Sequence, residues 1–170
     1  MIDIHEWEEF KITKLFGNPE KQAKRSVQKY ESGKTPYVSS SKYNNGVINF
    51  LTPKNEDDIE KGKCITVNPL DGTSFWQEED FLARGGGGSS IFFLRNHNLN
   101  KYNALFICTI LRKRLSVEYS DMANSKTFEN TILLPVDTKK SDEPDWKYME
   151  NFTKHKELLC KKKLESILNQ

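Results

Sequence analysis

The sequence predicts a mixed α/β fold, one globular domain closed by a long C-terminal helix. Three observations carry that prediction. Between Thr35 and Leu94, short runs of β-branched and aromatic residues alternate with turn residues, the pattern of strands. From Asn100 the apolar spacing lengthens to the period of a helix. After a last strand-like run at 131–136, a lysine-rich helical pattern continues almost to the final residue.

The totals agree with this class. A length of 170 residues suits one compact domain. The apolar fraction of 36% is low, but ten Phe, six Tyr and three Trp supply the bulk of a core. Each aromatic that is buried removes roughly 150–250 Å² from water. Disorder requires low hydrophobicity with high net charge, and the net charge is only +2. That balance neither makes nor excludes a nucleic-acid binder. Basic clusters at Lys21–Arg25, Arg112–Arg114 and Lys161–Lys163 leave room for a basic face. Cys64, Cys108 and Cys160 lack zinc-like spacing and are odd in number, so buried, reduced thiols are expected. The N-terminus is polar and acidic, which predicts no signal peptide, and no run approaches the ~20 apolar residues of a membrane span. A cytoplasmic protein is expected.

Taken in order, WEEFKITKLF (7–16) reads as a strand at about Glu9–Ile12 and then a turn of helix. Residues 18–36 are polar and read as a surface loop. Their GKT is a fragment of a phosphate-binding loop, but Gln28 stands where that motif needs its first glycine. Strands follow at 35–39, 46–52 and 63–67, in the second half of DGTSFWQ (71–77) and at 90–94. Asn44-Asn45-Gly46 and Asp71-Gly72 are the turns between them. NKYNALFICTILRKRL then places Leu105, Ile107, Cys108, Leu111 and Leu115 on an apolar side. Asn98 or Asn100 can cap its start, and Arg112, Lys113 and Arg114 suit its negative end.

SDEPDWKYMENF (141–152) reads as a helix start, with Pro144 in the first turn and Asp142, Glu143 and Asp145 at the positive end of the dipole. The boundary is therefore expected between a domain at 1–142 and a helix at 143–170. Trp146, Met149, Phe152, Leu159, Leu164 and Ile167, with Cys160, form an apolar stripe diluted by lysines. Such a helix usually packs on another, often from a partner chain.

No catalytic constellation emerges. His5, His97 and His155 have no acid and nucleophile at an interpretable spacing, and the carboxylate pairs at 57–58 and 78–79 sit in loops. A binding module remains. Its polar loops carry Ser39, Ser40, Ser41, Lys42, Asn44 and Asn45, then Asp71, Thr73, Ser74 and Gln77, then Arg84 with glycines and serines. These side chains are the types that read base edges, while Arg, Lys and backbone N–H groups hold phosphates.

The ordered fragments W-x-x-F-x-I-x-x-L-F, TPYVSSSKYNNGV, GKCITV, FWQEEDF, RGGGGSSI, NKYNALFICTIL, NSKTFENTILLPV and PDWKYMENF run from Trp7 to Phe152. In that order they resemble the target recognition domain of type I restriction-modification specificity subunits and of their type IIB/IIG, BcgI-like relatives. The resemblance implies a mixed, strongly twisted sheet whose loops enter the DNA major groove, and a helix that pairs with another recognition domain's helix. It implies no catalysis, metal or cofactor in this chain. S-adenosylmethionine belongs to a partner adenine methyltransferase, and cleavage to a restriction subunit. Full specificity subunits normally hold two such domains and two helices, so one domain implies a homodimer or pairing with a second domain, each half reading half of an interrupted site.

The DNA-facing regions expected from this resemblance are 39–45, 71–77, 84–90 and 120–126. They contain Ser39, Ser40, Ser41, Lys42, Asn44, Asn45, Thr73, Ser74, Gln77, Arg84, Gly86, Gly87, Ser89 and Lys126. The four-glycine run reads as a loop inside the domain, where missing Cβ atoms let backbone approach a phosphate or a neighbouring strand. Tyr37, Trp76, Phe81 and Trp146 are expected in the core. The competing readings are a protein–protein adaptor and a small nuclease.

Overall fold

The structure, a computed structural model, describes residues 7–21, 30–83, 90–115, 125–137 and 140–169. In chain order the described elements are β1 (Trp7–Lys11), α1 (Ile12–Phe16), β2 (Glu20–Lys21), β3 (Ser32–Val38), β4 (Val47–Leu51), β5 (Cys64–Val67), β6 (Ser74–Gln77), β7 (Leu82–Ala83), β8 (Phe92–Leu94), α2 (Lys101–Arg114), β9 (Thr131–Asp137), β10 (Lys140–Pro144) and α3 (Trp146–Leu168). The mixed α/β class holds, with the strands divided among three small sheets ordered β1-β9-β10, β2-β8-β5-β6 and β4-β3-β7. All recorded pairings are antiparallel except β3 with β7.

Strand alternation explains how these sheets share a core. Ile65 and Val67 of β5, with Phe92 and Leu94 of β8, point into the larger cluster under α2. The intervening Cys64 and Phe93 point the other way, into a cluster with Val38, Phe81, Ala83 and Ile91. The central sheet is therefore buried on both faces, which is why CITV and FFL are buried at every position. Phe81 and Ala83 precede the glycine run and Ile91 and Phe93 follow it, yet all four share one cluster. Tyr37, Trp76 and Phe81 are buried as expected, and Trp146 packs at the core's margin.

α2 lays Ala104, Ile107, Cys108 and Leu111 against the central sheet at helical spacing. Asn100, of the two candidates, is its cap: its side chain accepts from the N–H groups of Tyr102 and Asn103. The basic residues at the other end are tethers as well as dipole partners. Arg112 Nε donates to Ser74 O at 3.0 Å with its guanidinium over Phe75, and Arg114 Nε donates to Thr131 O.

Two expectations change around the last helix. Residues 141–144, read as part of the start of the last helix, belong to β10, which pairs with β9, and Pro144 is buried opposite Val136. The helix begins at Trp146 because Asp145 caps it, accepting from Tyr148 N at 2.7 Å, while its own N–H donates to Pro135 O. Cys64 and Cys108 are buried as expected, but Cys160 is exposed, because the second half of α3 leaves the domain. The first half is fastened by fully buried Met149 and by Phe152, edge-on to Phe106 at 5.4 Å. Beyond it Leu159, Leu164 and Ile167 stand exposed.

Candidate nucleic-acid interface

The connection between β3 and β4 runs from Ser39 to Gly46 and forms the centre of the expected DNA-facing surface. Its last turn is left-handed at three successive residues, with φ of 50° at Asn44, 56° at Asn45 and 79° at Gly46. Side-chain residues resist this conformation, and asparagine tolerates it best after glycine. Asn45 holds it in place from outside. Its Nδ2 donates to Trp76 O at 2.9 Å and to Gln77 Oε1 at 3.2 Å. Gln77 Nε2 returns a bond to Asn45 O at 3.0 Å and also reaches Thr66 Oγ1.

The turn after β5 lies beside this loop. Asn68 accepts from Leu70 N, Asp71 from Thr73 N, and Ser74 Oγ donates to Gly72 O. Lys42 Nζ reaches across from the first loop to Asp71 Oδ2 at 3.3 Å. That oxygen is buried and has no hydrogen-bond partner among the described residues, so the lysine's charge is its compensation. The first loop is thus fastened to β6 by an amide clamp and to the turn after β5 by an ion pair.

The expected contact residues separate accordingly. Ser39, Ser74 and Gln77 are buried and build the loops from within. Polar loop composition does not distinguish an inward hydroxyl from an outward one. Asn45 is solvent-exposed overall, but its amide is committed to the clamp. Lys42 and Asn44 face outward, with Ser40, Ser41 and Thr73 partly exposed. Lys126 is exposed on a separate short turn, Ser125–Glu129, anchored by Phe128 against Phe92 at 4.7 Å. Arg84, Gly86, Gly87, Ser89 and residues 120–124 lie outside the described residues. Tyr43, inside the expected region 39–45 but not among its individually named residues, is 76% exposed at the tip of the loop.

The described residues of this surface offer hydroxyl, amide and ammonium groups on a fixed frame. Among the described residues, no group of three or more His, Cys, Asp or Glu could hold a metal, and no helix is long and apolar enough to cross a membrane. The profile of the type I restriction modification DNA specificity domain matches residues 4–169. The chain belongs to that family. It is a restriction-modification DNA specificity domain.

Among curated proteins, the domain is similar to the specificity subunit S.BcgI of a type II restriction enzyme from Heyndrickxia coagulans, 30% identical over 130 residues, covering 74% of this chain and 36% of that one. Its fold is similar to the HsdS subunit of Thermoanaerobacter tengcongensis, with a TM-score of 0.57 at 10% identity over 91% of this chain and 38% of that one. A type I S subunit from M. genitalium also gives 0.57, at 14% identity over 96% and 43%. The specificity domain therefore spans about two fifths of the length of these relatives.

Proposed function

We propose that the specificity domain reads one half of a bipartite duplex DNA site and directs a partner adenine methyltransferase, with or without a restriction subunit, to it. The observation that carries this reading is the family match across nearly the whole chain. The joined loops support it: they present short donor and acceptor side chains from a rigid sheet, as base-edge readout requires. S-adenosylmethionine is then the partner's cofactor, and this chain contributes positioning alone.

The second half of the site requires a second recognition domain, and α3 supplies the surface for pairing with it. Met149 and Phe152 use one side of α3 to hold the domain, and Cys160, Leu164 and Ile167 continue that side beyond it at the 3.6-residue helical period. An unpaired stripe of this kind is stabilised by a second helix, from another copy or another domain.

Selection from a randomised duplex library, with the cognate methyltransferase present, tests the function. An enriched interrupted sequence is expected, with affinity that falls as salt rises, at a log–log slope of about −0.9 per phosphate contacted. Failure to enrich any sequence, with the complex intact, would leave an adaptor role instead.

A further inference from the structure

We propose that Tyr43 is a specificity-determining DNA contact of this domain and that Asn45 is the positioning residue that aims it. The inference rests on the DNA-reading function above and assigns the part of that function carried by one loop tip.

The β3–β4 connection is larger than pairing demands. Antiparallel neighbours are commonly closed by two to five residues. Here the pair Val38↔Val47 is closed by the eight residues Ser39–Gly46. Each end of Tyr43's backbone is fixed: Ser41 Oγ accepts from Tyr43 N at 3.1 Å and donates to Tyr43 O, and Gly46 N donates to the same carbonyl at 2.9 Å. Next to it come two left-handed asparagines, a conformation that persists only where the surroundings over-determine it. The surroundings do so through the Asn45 amide and the Gln77 carboxamide on β6.

All of this holds in place a side chain that points away from the protein, 76% exposed. A large aromatic left in water on a rigid backbone gains nothing for folding. It is, however, an efficient contact group, because a tyrosine loses few rotamers on binding and offers both a ring edge and a hydroxyl. The hydroxyl can donate to or accept from a base edge, and the ring can meet a thymine methyl. Lys42 and Asn44 flank it and are exposed, so the tip combines a cation, an aromatic and an amide.

The test uses the full chain with its methyltransferase subunit and compares Tyr43→Ala, Tyr43→Phe and Asn45→Gly with wild type. Asn45→Gly keeps the left-handed turn accessible and removes only the amide clamp. Tyr43→Ala should leave the melting temperature and the salt dependence unchanged. It should weaken binding to the selected duplex about tenfold or more, ~1.4 kcal/mol, and relax preference at one base pair of the selected sequence. Asn45→Gly should relax the same base pair, and should add nothing at that base pair once Tyr43 is Ala. Tyr43→Phe, if it restores the preference, assigns the contact to the ring; if it does not, to the hydroxyl. Wild-type sequence and affinity surviving in Tyr43→Ala would overturn the proposal and leave the DNA-reading function standing. A wild-type complex that selects no sequence overturns both.

Discussion

Replacing Gly72 with alanine tests how the turn after β5 is wedged against α2. Gly72 has φ +73°, a conformation that costs an L-residue roughly 1–2 kcal/mol. A Cβ there would also collide with the carbonyl oxygen and carbon of Leu115 and approach its Cβ within 2.9 Å. The first two are backbone atoms at the C-cap of α2, and they cannot swing aside as a side chain could. Overpacking of this kind costs about 1–3 kcal/mol more, so Gly72→Ala should destabilise by about 2–5 kcal/mol in total.

Gly17 is the internal control. Its φ is +70° with ψ of −166°, a region essentially confined to glycine, but nothing lies within 4 Å of the Cβ it lacks, so Gly17→Ala should cost the conformational ~1–3 kcal/mol alone. Urea unfolding of both variants gives the difference directly, as a midpoint shift at constant slope. At this chain length each kcal/mol is roughly 2–4 °C in melting temperature. A Gly72→Ala loss no larger than the conformational ~1–2 kcal/mol would refute the close approach of the turn to Leu115.

Three further outcomes follow from the packing. Leu164→Lys combined with Ile167→Lys should convert a dimer to monomer in sedimentation while leaving the melting of the domain unchanged; a surviving dimer assigns pairing to another surface. Burial pushes the Cys64 and Cys108 thiols up to about 12 from 9.0, so at pH 8 a thiol reagent should modify Cys160 alone until the protein is unfolded. Both thiols ionise nearer 9.0 in the unfolded chain, so their contribution to stability is complete below that pH. It falls as pH rises toward about 12, by roughly 1.4 kcal/mol per pH unit for each thiol. Asn100→Ala should cost about 0.5–2 kcal/mol by uncapping α2, and Asn100→Asp should recover most of it; calorimetry showing no loss would place the cap elsewhere.

Much of the scaffold was readable because it depends on neighbours in sequence. The apolar face of α2 follows from a 3.6-residue period, and β5 and β8 from runs of β-branched and aromatic residues. The two-residue strands β2 and β7 carry no such signal, since they exist only through β8 and β3 beside them. SDEP was read as helical because proline and acids favour a first turn; pairing to β9 and the carboxylate of Asp145 moved the start past them. The candidate site was legible as regions and not as roles. Ser39, Ser74 and Gln77 look like Ser41 and Thr73 in composition, and only their burial separates them.

The sequence by itself determined the class of fold, the family, and which segments are polar loops, because period, turn chemistry and ordered fragments are local properties of the chain. Tertiary structure alone decided which polar groups are left to act. Asn45 meets Gln77 across 32 residues, and Lys42 meets Asp71 from another loop. A hydrogen bond or ion pair of that kind depends on positions in space that no local pattern encodes, and each commits a polar atom to a partner far away in sequence. Tyr43, one residue in a polar stretch, is left 76% exposed by this frame.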